Sequence, residues 1–394
     1  MIRVLAIMEA SSVTGPAKNL IRFCQWTRTP EAQRTGANLA ITIATFCRDP
    51  DADGSRNAFV QAARSEGIDV QVIREGFAFD RRVFPRLRNV LEIVQPNVVQ
   101  THNVKSGFIY SRIRSHLGVP WIAFQHGYTA PDLKMRVYNQ LDRITLRSAD
   151  RVVTVCQAFA PALQAYGVRS ERIRILHNSI QAPAPVPENA TIQLRRELGL
   201  VEDDTVILAV GRLSKEKGHA DLLQALSVVR RDIPEVNWKL VLVGTGPEQA
   251  ELDRLSAKLG LTDRVVMAGF RPTVASFFAI AGLFVLPSHS EGSSNVLLEA
   301  MAARLPIVAT RAGGTPEIAE DEKTALLVDS RNAMANAVRR FLTDGALRVR
   351  LADAAYAHAI AEFSPDRYRA SLVTIYQDAL SMAQSQAIPL SSTG

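Results

Sequence analysis

Cysteine is scarce and poorly placed for covalent or metal work. Cys24, Cys47 and Cys156 are odd in number and share no ligand spacing, so neither a disulfide framework nor a zinc site is expected. A reducing cytoplasm with buried thiols is the expected setting. No apolar run approaches the roughly 20 residues that cross a bilayer. The opening MIRVLAIMEASS breaks at Glu9 and lacks a small-residue cleavage pattern, so it reads as a first strand and not as an export signal. Aromatics make up only 6% of the chain. No recognition motif or basic-aromatic interleaving is present, so nucleic acid is not an expected partner.

What is present fits a soluble globular protein. The chain has 394 residues, 47% hydrophobic and 22% charged, enough for two domains of roughly 200 residues each. Its net charge of +7 is unevenly spread. Residues 1–180 hold 24 Lys and Arg against 14 Asp and Glu, a net +10, and the remainder holds 22 against 25, a net −3. Part of the excess clusters in DRRVFPRLRNV (80–90) and SRIRSH (111–116). Such arginines suit an anionic membrane surface or a phosphorylated substrate; a solvated helix face is the alternative left open.

Short apolar runs alternate with helix-period stretches throughout, the pattern of parallel sheets covered by helices. The first half offers strands at Ile2–Met8, Leu39–Phe46, Asp69–Ile73, Asn97–Thr101, Trp121–Phe124 and Arg151–Val155. QAPAPVPENA then interrupts the periodicity. The second half resumes with Thr205–Val210, Trp238–Val243, Arg264–Met267, Leu283–Leu286, Ile307–Ala309 and Ala325–Val328. The fold class is α/β, with two doubly wound domains whose ligands sit at the carboxyl ends of the strands, facing an interdomain cleft. Residues 1–180 form the first domain, 181–204 the linker and 205–364 the second domain; the tail PLSSTG is expected to be disordered.

Several motifs fall at those strand ends. DPDADGS places Asp49, Asp51, Asp53 and Gly54 in register with a calcium loop, but the twelfth position is Val60 where a glutamate is needed, so a polar surface loop is expected. VGRLSKEKG sets Gly211, Arg212 and Lys217 after a strand, where two cations can neutralise a diphosphate; ordinary surface charge is the plain alternative. VGTGPE, with Gly246, can present a helix N-terminus to an anion or form only a tight turn. FQHGYT puts His126 just past a strand, where its ring can hydrogen-bond a polar ligand or serve the fold.

SHSEGSSNVLLEAMAARLPIVAT carries the most information. Gly292, Ser293, Ser294 and Asn295 offer amides and capping side chains to a helix from about Asn295 to Ala303. Glu291 precedes that helix, and Glu299 lies in its second turn among apolar neighbours, so it is expected to be largely buried. A buried carboxylate must accept hydrogen bonds, from the protein itself or from the hydroxyls of a bound ribose.

Two glutamates separated by seven residues, together with GRLSKEKG and GGTPEI, form a set that resembles the retaining nucleotide-sugar glycosyltransferases of family 4, which have the GT-B fold of two Rossmann-like domains. The resemblance implies that Arg212 and Lys217 bind the donor diphosphate, that Glu299 holds the ribose and that Glu291 and His126 contact the sugar. It also implies that the amides from Gly292 to Asn295 cradle the donor, with Gly211, Gly246 and Gly15 contributing backbone contacts, and that the last helix, about 365–385, completes the first domain. Family members generally need no metal, so the expected ligands are a nucleoside-diphosphate sugar and an acceptor saccharide. The acceptor is expected to be lipid-linked or part of a cell-surface polysaccharide or lipopolysaccharide precursor, reached from the inner face of a membrane. Three positions depart from the family pattern: TGPAKN has a single glycine, HNSI has Asn178 followed by Ser179, and Arg304 precedes LPIVAT. The alternatives are another GT-B sugar enzyme, an epimerase or a phosphorylase, and a non-catalytic two-domain sugar-binding protein.

Overall fold

The computed structural model of the chain describes residues 1–34, 38–48, 54–77, 80–127 and 133–387. Asp49, Asp51 and Asp53 of the calcium-like loop lie outside the described residues. The chain divides into two compact units, 1–176 with 369–394, and 177–368.

The first unit is built on a parallel sheet of β1 (Ile2–Ile7), β2 (Leu39–Cys47), β3 (Val70–Arg74), β4 (Val98–Thr101), β5 (Trp121–Gln125), β6 (Arg151–Thr154) and β7 (Ile173–Ile175). Their order is β3-β2-β1-β4-β5-β6-β7. The central strands are apolar runs because helices cover both faces: Val4, Leu5, Ala6 and Ile7 are fully buried. β7 escapes sequence reading because IRI is short, half-buried, preceded by Arg172 and centred on Arg174.

The final helix, Pro365–Ala387, belongs to the first unit from Arg369 onward. Arg151 and Arg174 both grip Asp378, each at 2.6 Å. Buried Tyr376 donates its hydroxyl to Gln100 Oε1 at 2.6 Å. Within this unit the basic cluster is partly neutralised by Asp80. Arg82 bonds that carboxylate at 2.8 Å and Arg86 approaches it at 3.8 Å; Arg81 and Arg88 remain exposed.

The second unit repeats the design with β8 (Thr205–Val210), β9 (Trp238–Val243), β10 (Val265–Gly269), β11 (Leu283–Leu286), β12 (Ile307–Thr310) and β13 (Leu326–Val328). The strands are parallel in the order β10-β9-β8-β11-β12-β13. In both sheets the chain reverses its direction of growth beside the first strand, between β1 and β4 and between β8 and β11, where ligands of such folds bind. The linker is narrower than the expected 181–204. Residues 181–187 have no regular structure, whereas Glu188–Glu197 is a helix. Leu194 and Leu198, one turn apart, enter the second unit's core. That apolar pair, set in a charged stretch, is what binds the segment to the unit.

Candidate active site

The second unit gathers its polar groups at the switch between β8 and β11. After β8 the chain passes Gly211 and Arg212, makes one helical turn at Lys215–Lys217, and enters the helix His219–Asp232. After β11 it runs through Ser288 and Glu291 into the helix Asn295–Ala302. The two loops meet: Lys217 Nζ and Ser288 Oγ each donate to Glu291 Oε1 at 2.6 Å. The His289 amide donates to the Glu216 carbonyl at 2.8 Å. Glu291 is 8% exposed, so its charge requires these partners. Lys217 remains partly accessible, and Arg212 is exposed, its charge acting on the Glu216 carboxylate.

A third loop fixes Glu291 from below. Thr310 donates its hydroxyl to the Ser288 carbonyl, and the Gly314 amide donates to the Glu291 carbonyl at 3.1 Å. Gly313 has φ +53°, and a Cβ there would overlap the Glu291 carbonyl oxygen. Only glycine fits that left-handed, close approach. Gly246 has a comparable structural duty: a side chain would strike the Leu213 carbonyl, which also accepts the Glu248 amide at 2.9 Å. VGTGPE therefore locks the loop after β9 onto the loop after β8.

The helix Asn295–Ala302 has one side more open than the other. Leu297, Leu298, Ala300, Met301 and Ala302 are buried, while Asn295, Val296 and Glu299 are half-buried. Positions 295, 296 and 299 share one side of a helix by their three- and four-residue spacing. Glu299 therefore stands on the more open face of an otherwise buried helix. Ser294 is the N-cap residue but makes no side-chain cap bond. Ser293 is already engaged inside the unit: its hydroxyl accepts the Asn178 amide at 2.8 Å, and its carbonyl accepts Asn178 Nδ2 at 2.6 Å. The Asn178 of HNSI thus clamps the start of the glutamate loop.

The remaining expected residues, His126 and Gly15, belong to the first unit. Gly15 opens the helix Gly15–Thr27, followed by Pro16. His126 follows β5, and its ring meets that of His102, which follows β4.

Sequence reading missed Ser288, His102 and His219. For His102 a signal existed, since QTH and FQH both place a histidine just past a strand, and the two strands are neighbours. His219 is 4% exposed; burial pushes it down to about 4, against the smaller opposing pull of the Arg212 backbone. Glu216 is held below the usual carboxylate range by the Ser214 hydroxyl, which donates to it at 2.6 Å.

Comparison with known proteins shows the family. Residues 191–358 match the family described as glycosyl transferases group 1, and residues 25–179 match a glycosyl transferase 4-like domain. A D-inositol 3-phosphate glycosyltransferase of Acidothermus cellulolyticus is 31% identical over 74% of this chain and 69% of its own length. The chain belongs to the group 1 glycosyltransferases. A second relative of this transferase, the lipopolysaccharide core biosynthesis glycosyltransferase LpsD of Rhizobium meliloti, is 36% identical over 45% of the chain and 50% of its own length. Among solved structures, the Anabaena protein HepE in complex with UDP superposes with a TM-score of 0.76 at 22% identity, covering 98% of this chain and all of that one. That likeness shows the fold, two Rossmann-like domains of GT-B type. Among the described residues of the transferase, no helix is long and apolar enough to cross a membrane.

Proposed function

We propose that this glycosyltransferase takes its sugar from a nucleoside-diphosphate sugar bound at the β8–β11 switch of the second unit and transfers it with retention of anomeric configuration. The observation that carries the reading is the Lys217–Glu291–Ser288 cluster beside exposed Arg212. A departing nucleoside diphosphate gains negative charge as the glycosidic bond lengthens. A guanidinium and an ammonium held in a fixed loop stabilise that charge more in the transition state than in the ground state. Lys217 shares its proton-bearing nitrogen between Glu291 and the arriving phosphate, and Glu291 offers its carboxylate to sugar hydroxyls near the reacting face. Glu299 accepts from the ribose from its half-open side of the helix, and the amides at residues 292–295 lie where an anion is favoured. Front-face attack by an acceptor hydroxyl, with its proton passing to a phosphate oxygen of the leaving group, gives retention without a metal.

The acceptor in this reading is a saccharide, lipid-linked or part of a cell-surface polysaccharide or lipopolysaccharide precursor. The uneven charge of the chain, with Arg81 and Arg88 exposed, supports docking on an anionic membrane. Vesicle sedimentation at low and high salt checks that step, and binding that ignores salt or anionic lipid counts against it. The donor assignment is tested by thermal unfolding with UDP-, GDP- and ADP-sugars. One class should raise the midpoint; protection by none of them refutes the reading.

A further inference from the structure

The two imidazoles of the first unit define a proton position. His102 Nδ1 and His126 Nε2 lie 3.5 Å apart. The rings are within 9° of parallel, with centroids 5.7 Å apart. For nitrogens at that distance, this is close to the largest centroid separation two imidazoles allow, so both nitrogens lie near the line joining the ring centres. The N–H bond and the lone pair of an imidazole nitrogen point radially; the two are aimed at each other. Phe124 stacks on His102 at 4.5 Å and holds its plane. Past β5, the Gly127 amide donates to Gln125 Oε1 at 3.1 Å and shapes the turn that carries His126.

Burial holds His102 well below the usual histidine range and His126 down to about 4, so both rings are neutral at pH 7. Two neutral rings facing each other admit one shared proton. If His126 Nε2 carried it, His102 would carry its own on Nε2, an atom that is buried without a partner among the described residues. An orphaned N–H inside a protein is rarer and more costly than an unfilled acceptor. With the proton on His102 Nδ1, that same Nε2 keeps only a bare lone pair.

We infer that His102 is a positioning residue that donates from Nδ1 to His126 Nε2, fixing His126 as the Nδ1–H tautomer. His126 therefore meets its ligand as a hydrogen-bond donor and not as a base. It selects an oxygen acceptor, a sugar hydroxyl or carboxylate, and disfavours an ammonium group at the same place. The tautomer follows from the first unit alone; only its use on a sugar rests on the proposed function.

The test is the tautomer of His126 in the full chain labelled with ¹⁵N-histidine, read by long-range proton–nitrogen correlation at neutral pH and assigned by loss of the signal in His126→Gln. The expected result is a protonated Nδ1 and a bare Nε2 in the wild type. His102→Phe should move the population toward Nε2–H. His102→Asn, whose amide nitrogen can occupy the place of Nδ1, should retain the wild-type form. Turnover should follow the tautomer: kcat/KM falls by about 10-fold in His102→Phe and recovers in His102→Asn, with affinity for free nucleoside diphosphate unchanged. An Nε2–H form in the wild type, or a tautomer indifferent to His102→Phe, overturns the inference. If His102→Phe does not fold, the wild-type and His102→Asn spectra decide. The expected tautomer in a protein that binds no UDP, GDP or ADP supports this inference while refuting the donor site.

Discussion

The two units share a sheet design and differ in what they do with charge at the same place. Beyond β1 in the first unit, Lys105 bonds Glu9 at 2.7 Å and also reaches buried Glu75, which Arg48 clamps at 2.6 Å. That charge is spent within the protein, and the neighbouring His102 and His126 are neutral. Beyond β8 in the second unit, Lys217 has Glu291, but Arg212 stands exposed. Similar scaffolds, seven-stranded and six-stranded, thus hold a neutral histidine pair in one unit and an exposed cation in the other. The strands supply position; the loops supply chemistry.

The largest expected effect breaks the charged side of this contrast. Lys217→Ala should lower kcat about 100- to 1,000-fold, in line with loss of a group that stabilises transition-state charge, while Lys105→Ala should act mainly through stability. Steady-state kinetics and urea unfolding of both variants separate the two roles. Next comes the backbone that holds the loops. Gly313→Ala forces a Cβ onto the Glu291 carbonyl and should cost about 2–4 kcal/mol. Gly118→Ala, at φ +61° with open space around it, should cost only about 1 kcal/mol. Equal costs would show that the glutamate loop tolerates displacement.

Acid sensitivity sharpens the comparison further. His219 in the second unit has a folded pKa of about 4, below its unfolded value. As pH falls, the unfolded chain takes the proton first, so stability is full above about 6.5 and declines from there toward about 4, by up to ~3 kcal/mol. His219→Leu should flatten that part of the pH profile. In the first unit, Asp378 is lowered from 3.8 to about 2, chiefly by the hydrogen bond from Arg151. Its contribution is present above 3.8 and lost as pH falls toward 2. About a third of the Asp378 side chain is exposed, so Asp378→Asn should cost no more than about 1 kcal/mol at pH 7. Urea unfolding across pH 2–8 reads both.

Much of this was legible in the sequence because fully buried parallel strands are unbroken apolar runs, and because glycines and charges crowd the ends of those strands. What escaped depended on contacts between distant segments. β7 hid in IRI because an edge strand needs little burial. The more open side of the Glu299 helix was hidden because it is set by which face packs and not by composition. Ser293 looked free until Asn178, 115 positions away, was seen to hold it. The helix Glu188–Glu197 was concealed in the linker because two leucines suffice to dock it. The proton between His102 and His126 required a distance, a ring angle and an unpartnered nitrogen, none of which a sequence contains.

The central claim is that the exposed cation beyond β8, with Lys217 on Glu291, is a diphosphate site. Calorimetric titration of UDP, GDP and ADP into the wild type and Lys217→Ala measures it directly. One nucleotide should bind the wild type and bind Lys217→Ala at least about 10-fold more weakly, a difference of about 1.4 kcal/mol. Equal affinity in the two folded proteins would contradict the account.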